Sequence, residues 1–174
     1  MKNSAEDITN LHVKVANKED LIELNFFAQE FIELIESFKL NFLDGRYLTL
    51  ITYYNNLAVA VLIAEEMVSE VYSLEDILPN TLLKLIYVNP KFRNKHIGTN
   101  LLLFFLKDQK RKGIASVIVK LPQKYKSGIN FFEYNKFHRL RKMKDSILLE
   151  YNLWNDFGIR FSHFLSNKFN HILD

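Results

Sequence analysis

Apolar and polar residues alternate from Leu11 to Ala16, the period-two pattern of a half-buried strand. Asn17 follows as an N-cap, with Glu19 and Asp20 where acids suit the positive end of a helix. Leu21, Leu24, Phe27, Ala28, Phe31, Leu34, Ile35 and Phe38 then recur at helical spacing and predict one amphipathic helix as far as about Phe38. Asp44-Gly45 marks a turn. Residues 47–53 and 57–64 read as two strands joined at Asn55-Asn56, an antiparallel hairpin, with the second strand a candidate to extend to Val71. Residues 82–88 read as a fourth strand ended by Asn89-Pro90. A helix is expected from Lys95 to Lys112, stopped by Gly113, with the run 101–106 in the core. Residues 116–121 predict a fifth strand, 122–128 a loop, 129–140 a short aromatic helix and 146–153 a sixth strand.

The predicted order is β-α-β-β-β-α-β-α-β. Strand–helix–strand between 82 and 121 implies a right-handed crossover and a parallel pair, whereas the hairpin implies antiparallel neighbours. The fold class is therefore α/β (α+β), a mixed central sheet with helices on both faces. At 174 residues the chain suits one domain over 1–153, followed by an apolar extension over 154–174 that packs on the same domain or at a homodimer interface.

Charge changes this picture most. Residues 1–90 carry 6 basic and 14 acidic side chains, whereas residues 91–144 carry 15 basic and 2 acidic ones. Such a block suits a polyanionic ligand, either nucleic acid or a phosphorylated cofactor. The chain contains no cysteine, which excludes disulfides and thiol nucleophiles. Its five histidines show no metal-ligand pairing, so no metal is expected. No apolar run approaches a membrane span and residues 1–10 lack a leader's apolar region, so a cytoplasmic protein without membrane contact is expected.

The candidate chemistry lies between Leu85 and Leu102. A strand ends, a basic loop follows and a helix opens at Gly98-Thr99. Backbone N–H groups at a helix start, with the charge of Arg93 and Lys95, suit a pyrophosphate. Gly-x-x-x-x-Gly-Lys-Ser/Thr and a full Gly-x-Gly-x-x-Gly are both missing, so neither a P-loop nor a dinucleotide fold is indicated.

Val88-Asn-Pro90 followed by Arg93-Asn-Lys-His96-Ile-Gly98-Thr99 resembles the signature of the GNAT (Gcn5-related) N-acetyltransferases. Phe131-Phe-Glu-Tyr-Asn-Lys-Phe137 is similar to that family's aromatic box, and the resemblance covers roughly residues 11–153. It implies acetyl-CoA as co-substrate, with no metal, and direct acyl transfer to a small-molecule or peptide amine. Ile86, Tyr87 and Val88 would pair with the pantetheine arm, and the Val88 amide would polarise the thioester carbonyl. Arg93, Asn94, Lys95, His96, Ile97, Gly98 and Thr99 would hold the pyrophosphate, with Lys124 and Lys126 as candidates for the adenosine end. On this reading coenzyme A accounts for the basic block, and nucleic acid is not the expected partner.

Three positions depart from the family pattern. His96 and Lys136 stand where the motifs carry glycine, and Phe132 stands at the usual tyrosine. Tyr134, Tyr87, Glu65 and Glu66 are the remaining candidates for moving protons. The alternative reading is a catalytically weak GNAT-like module that binds acyl-CoA or nucleic acid.

Overall fold

The computed structural model describes residues 11–35, 37–67 and 79–154. Its strands form one mixed sheet in the order β1-β2-β3-β4-β5-β7-β6. They are β1 (Leu11–Val15), β2 (Tyr47–Tyr54), β3 (Leu57–Met67), β4 (Asn80–Val88), β5 (Ser116–Pro122), β6 (His138–Lys142) and β7 (Ser146–Asn152). The helices are α1 (Leu21–Ile32), α2 (Phe38–Leu43), α3 (Ile97–Arg111) and α4 (Lys126–Tyr134). The chain divides into two compact units, Met1–Ile63 with Leu85–Leu102, and Ala64–Lys84 with Leu103–Asp174.

In the first unit β1 runs antiparallel to β2, from Leu11↔Tyr54 to Val15↔Leu50. Asn55 and Asn56 both adopt left-handed φ, 49° and 63°, as a two-residue hairpin turn matched to strand twist requires. Asn17 caps the turn before α1: its side chain accepts from the Glu19 amide, and Asp20 accepts from the Asn17 amide at 2.7 Å. Leu24, Ala28 and Ile32 put the apolar stripe of α1 into the core, joined there by Phe38, Phe42, Tyr47, Ile51 and Val61.

In the second unit the parallel β4–β5 ladder runs from Asn80↔Ser116 to Leu83↔Val119. β5 continues antiparallel to β7, and β7 to β6. The α3 crossover is fastened to the start of β4 by the buried Thr81 hydroxyl, which donates to Gln109 at 2.5 Å. Gly113, at φ 78°, ends α3, and the Gly113 and Ile114 amides return to the Lys110 and Gln109 carbonyls.

Three details differ from the sequence reading. The single helix to Phe38 is two: α1 ends at Ile32, and α2 starts after Ser37, whose φ is 53°. The aromatic helix spans 126–134, and residues 138–140 of its expected range belong instead to an extra strand, β6. The run 101–106 is not wholly core, because Leu103 and Phe104 are exposed on the helix face opposite Leu102 and Leu106. β3 is described as far as Met67, and its expected extension to Val71 lies with residues 68–78 outside the described residues. The extension at 155–174 also lies outside them.

Candidate coenzyme-binding site

β4 delivers the chain to the site. Side chains alternate along it. Leu85 and Tyr87 pack against the α1–α2 core, which leaves Ile86 and Val88 to the other face. Beyond Leu83↔Val119 no register pair with β5 involves Leu85 to Val88 among the described residues. Among the described residues, the backbone groups on that edge of Leu85 to Val88 have no strand paired with them. The Asn89 amide still donates to the Val59 carbonyl at 2.9 Å, so the strand end is held from the β3 side.

Asn89 then opens the loop. Its side-chain oxygen accepts from the Lys91 amide at 3.1 Å, and Pro90 starts a single 3-10 turn over Pro90–Phe92. The Phe92 ring meets Tyr54 edge-on at 5.8 Å, and the Lys95 ammonium lies 6.0 Å from its centre. Asn94 and His96 both take left-handed φ, 60° and 58°. His96 occupies the signature's middle glycine, and its backbone adopts a conformation that glycine reaches freely and that histidine and asparagine tolerate better than most residues.

Ile97 is buried and begins α3; the Asn100 amide is the first to return along the helix, to the His96 carbonyl at 2.9 Å. The amides of Ile97, Gly98 and Thr99 therefore stand in the first turn, where no intrahelical acceptor exists. Lys91, Arg93, Lys95 and His96 are exposed, and residues 89–99 contain no acid. Unpaired amides, the helix dipole and these side chains converge on one polar loop fit to hold a phosphorylated anion. Arg93 adds a link that the sequence did not reveal: its Nε donates to the Val88 carbonyl at 3.0 Å, tying the loop back to the strand end.

The proton-moving candidates are dispersed. Tyr87 is half-buried, stacked on Phe31 at 4.3 Å between centroids and tilted against Phe27 at 5.4 Å. Glu65 pairs with Lys84 at 2.7 Å, so its carboxylate is committed to an ammonium. The Glu66 side chain lies outside the description. Tyr134 is 79% exposed on α4, whereas Phe132, two residues earlier, is 3% exposed. Lys124 and Lys126, before and at the start of α4, are exposed. Among the described residues no three His, Asp or Glu side chains gather to hold a metal ion, and no helix is long and apolar enough to cross a membrane.

No sequence-family model matches the chain, and no curated protein matches it. Solved structures do. Arabidopsis thaliana Naa50, in complex with the bisubstrate analogue CoA-Ac-MVNAL, superposes with a TM-score of 0.68 at 13% identity, covering 82% of this chain and 99% of that one. The PaiA N-acetyltransferase of Thermoplasma acidophilum, in complex with coenzyme A, gives 0.62 at 19% identity, covering 82% and 98%. An acetyltransferase of the GNAT family from Staphylococcus aureus Mu50 gives 0.63 at 19%, covering 82% and 99%. The chain therefore has the GNAT acetyltransferase fold.

Proposed function

We propose that this protein is an acetyl-CoA-dependent N-acetyltransferase acting on a small-molecule or peptide amine. The observation that carries the reading is the loop from Arg93 to Thr99, acid-free and closed by the first-turn amides of Ile97, Gly98 and Thr99, set directly after a strand that has no register pair with β5 at 86–88 among the described residues. Coenzyme A presents a pyrophosphate and a pantetheine amide chain in that same order. The neighbouring folds solved with coenzyme A or a bisubstrate analogue support the assignment.

In this reaction the neutral amine attacks the thioester carbonyl. A C–N bond forms, the C–S bond breaks, and the thiolate leaves with the proton that the amine sheds. Ile86 to Val88 align the pantetheine arm by backbone pairing. The Val88 amide faces the carbonyl oxygen as it gains charge. The loop amides, with Arg93, Lys95 and His96, neutralise the pyrophosphate, and Lys124 and Lys126 are candidates for the adenosine end.

An alkyl amine is protonated at neutral pH, so a base must take its proton. Glu66 is a candidate base, and Glu65 would have to release Lys84 first. Tyr87 and Tyr134 are candidates to hand a proton to the departing thiolate. The buried phenyl ring of Phe132 favours a second reading, a catalytically weak module that retains acyl-CoA as a ligand.

A melting scan with acetyl-CoA, followed by thiol release across a panel of amines, separates the two. Stabilisation by millimolar acetyl-CoA with amine-dependent thiol release supports the enzyme; stabilisation without release across the panel favours the binding module. A melting temperature unmoved by acetyl-CoA contradicts both.

A further inference from the structure

Val88 and Arg93 are five residues apart, and a single hydrogen bond joins the two functions of this loop. Arg93 Nε donates to the Val88 carbonyl at 3.0 Å. The N–H of the same peptide unit, on Asn89, donates to Val59 at 2.9 Å. The plane that ends β4 is thus held at its nitrogen by the sheet and at its oxygen by a side chain of the phosphate loop. Guanidinium carries five donors in a fixed planar fork, and Nε uses one. The others meet no acceptor among the described residues, and the side chain is exposed, so they remain for a phosphate. The Val88 carbonyl keeps its second lone pair for a ligand amide.

We propose that Arg93 is a positioning residue: its Nε fixes the strand end at Val88, and its terminal nitrogens register whether a pyrophosphate occupies the loop. The anion and the thioester would then be aligned by one rigid group. Lysine cannot replace it, because an ammonium supplies charge without the fork. The inference rests on the acetyl-CoA reading and adds a role that charge does not fulfil.

The test compares Arg93→Lys and Arg93→Gln with the parent protein, using acetyl-CoA labelled with carbon-13 at the thioester carbonyl. Calorimetry reads affinity, and isotope-edited infrared spectroscopy reads polarisation of the bound carbonyl without needing the acceptor. Arg93→Lys is expected to keep its dissociation constant within about threefold, whereas Arg93→Gln weakens it about tenfold or more, because only the former retains the charge. In both variants the carbonyl band should move back toward that of free acetyl-CoA. A band unchanged in Arg93→Lys overturns the positioning role, as does tighter binding, which would make the Nε bond a competitor of the ligand. Absence of binding to the parent protein overturns instead the acetyl-CoA reading on which the inference stands.

Discussion

Phe137 packs edge-on against Phe132 with ring centres 5.0 Å apart, and both rings are buried. The contact closes the C-terminus of α4: the Lys136 amide returns to the Glu133 carbonyl and the Phe137 amide to the Phe132 carbonyl, each at 3.0 Å. This is the Schellman arrangement with its accompanying apolar contact. The aromatic box is therefore a helix stop with a packed lid, and Phe132 is a structural member of it. Phe132→Ala and Phe137→Ala should each lower stability by roughly 3–5 kcal/mol. A double-mutant cycle in urea should show a coupling of about 0.5–1.5 kcal/mol; additivity would mean that the two rings do not support one another.

Lys136 and His96, the two residues that stand in place of family glycines, both have left-handed φ, 68° and 58°. The backbone keeps the glycine conformation while the side chain bears the strain. Replacing either by glycine removes a penalty of roughly 1–2 kcal/mol and returns part of it as chain entropy in the unfolded state. Lys136→Gly and His96→Gly should each raise the urea midpoint, by about 0.5–1 kcal/mol in stability. A lowered midpoint in both would show that the side chains make compensating contacts.

Asp20 supplies an acid-sensitive point. Burial pushes its carboxyl up, but the Asn17 amide and the Lys14 ammonium at 2.7 Å outweigh it and hold the group below its ordinary value. Its stabilising contribution is present above the unfolded value and fades as pH falls through the lower folded one, below about pH 4. Asp20→Ala should lose roughly 1 kcal/mol at neutral pH, as expected for a lost cap. It should also show a shallower decline of stability into acid than the parent protein. Parallel acid limbs in the two proteins would contradict this account.

The parts of the fold written in local chemistry were legible in the sequence. Asn55-Asn56 gave the hairpin, Asn17 the cap, Gly113 the end of α3, and the alternation from Leu11 the first strand. β6 was not legible because all five of its side chains, from His138 to Lys142, are exposed. An edge strand held by its pairing with β7 need show no apolar period. The break between α1 and α2 was hidden because Leu34 and Ile35 keep helical spacing through a turn, although Leu34 is exposed. At the candidate site, motif spacing pointed to the acid-free loop between Val88 and Thr99 that is proposed to hold the pyrophosphate. The Arg93–Val88 bond and the two left-handed residues are properties of backbone path, which spacing does not encode.

The central claim is that the amides from Arg93 to Thr99 hold the pyrophosphate of coenzyme A. Gly98→Glu tests it most directly, because an acid in the first turn of α3 suits the helix dipole and leaves folding intact while placing negative charge against the anion. Calorimetric titration of acetyl-CoA into the parent protein and into Gly98→Glu, with matching circular dichroism, is the measurement. Saturable binding to the parent and none to the folded variant is the predicted result; equal binding to both, or none to the parent, would contradict the claim.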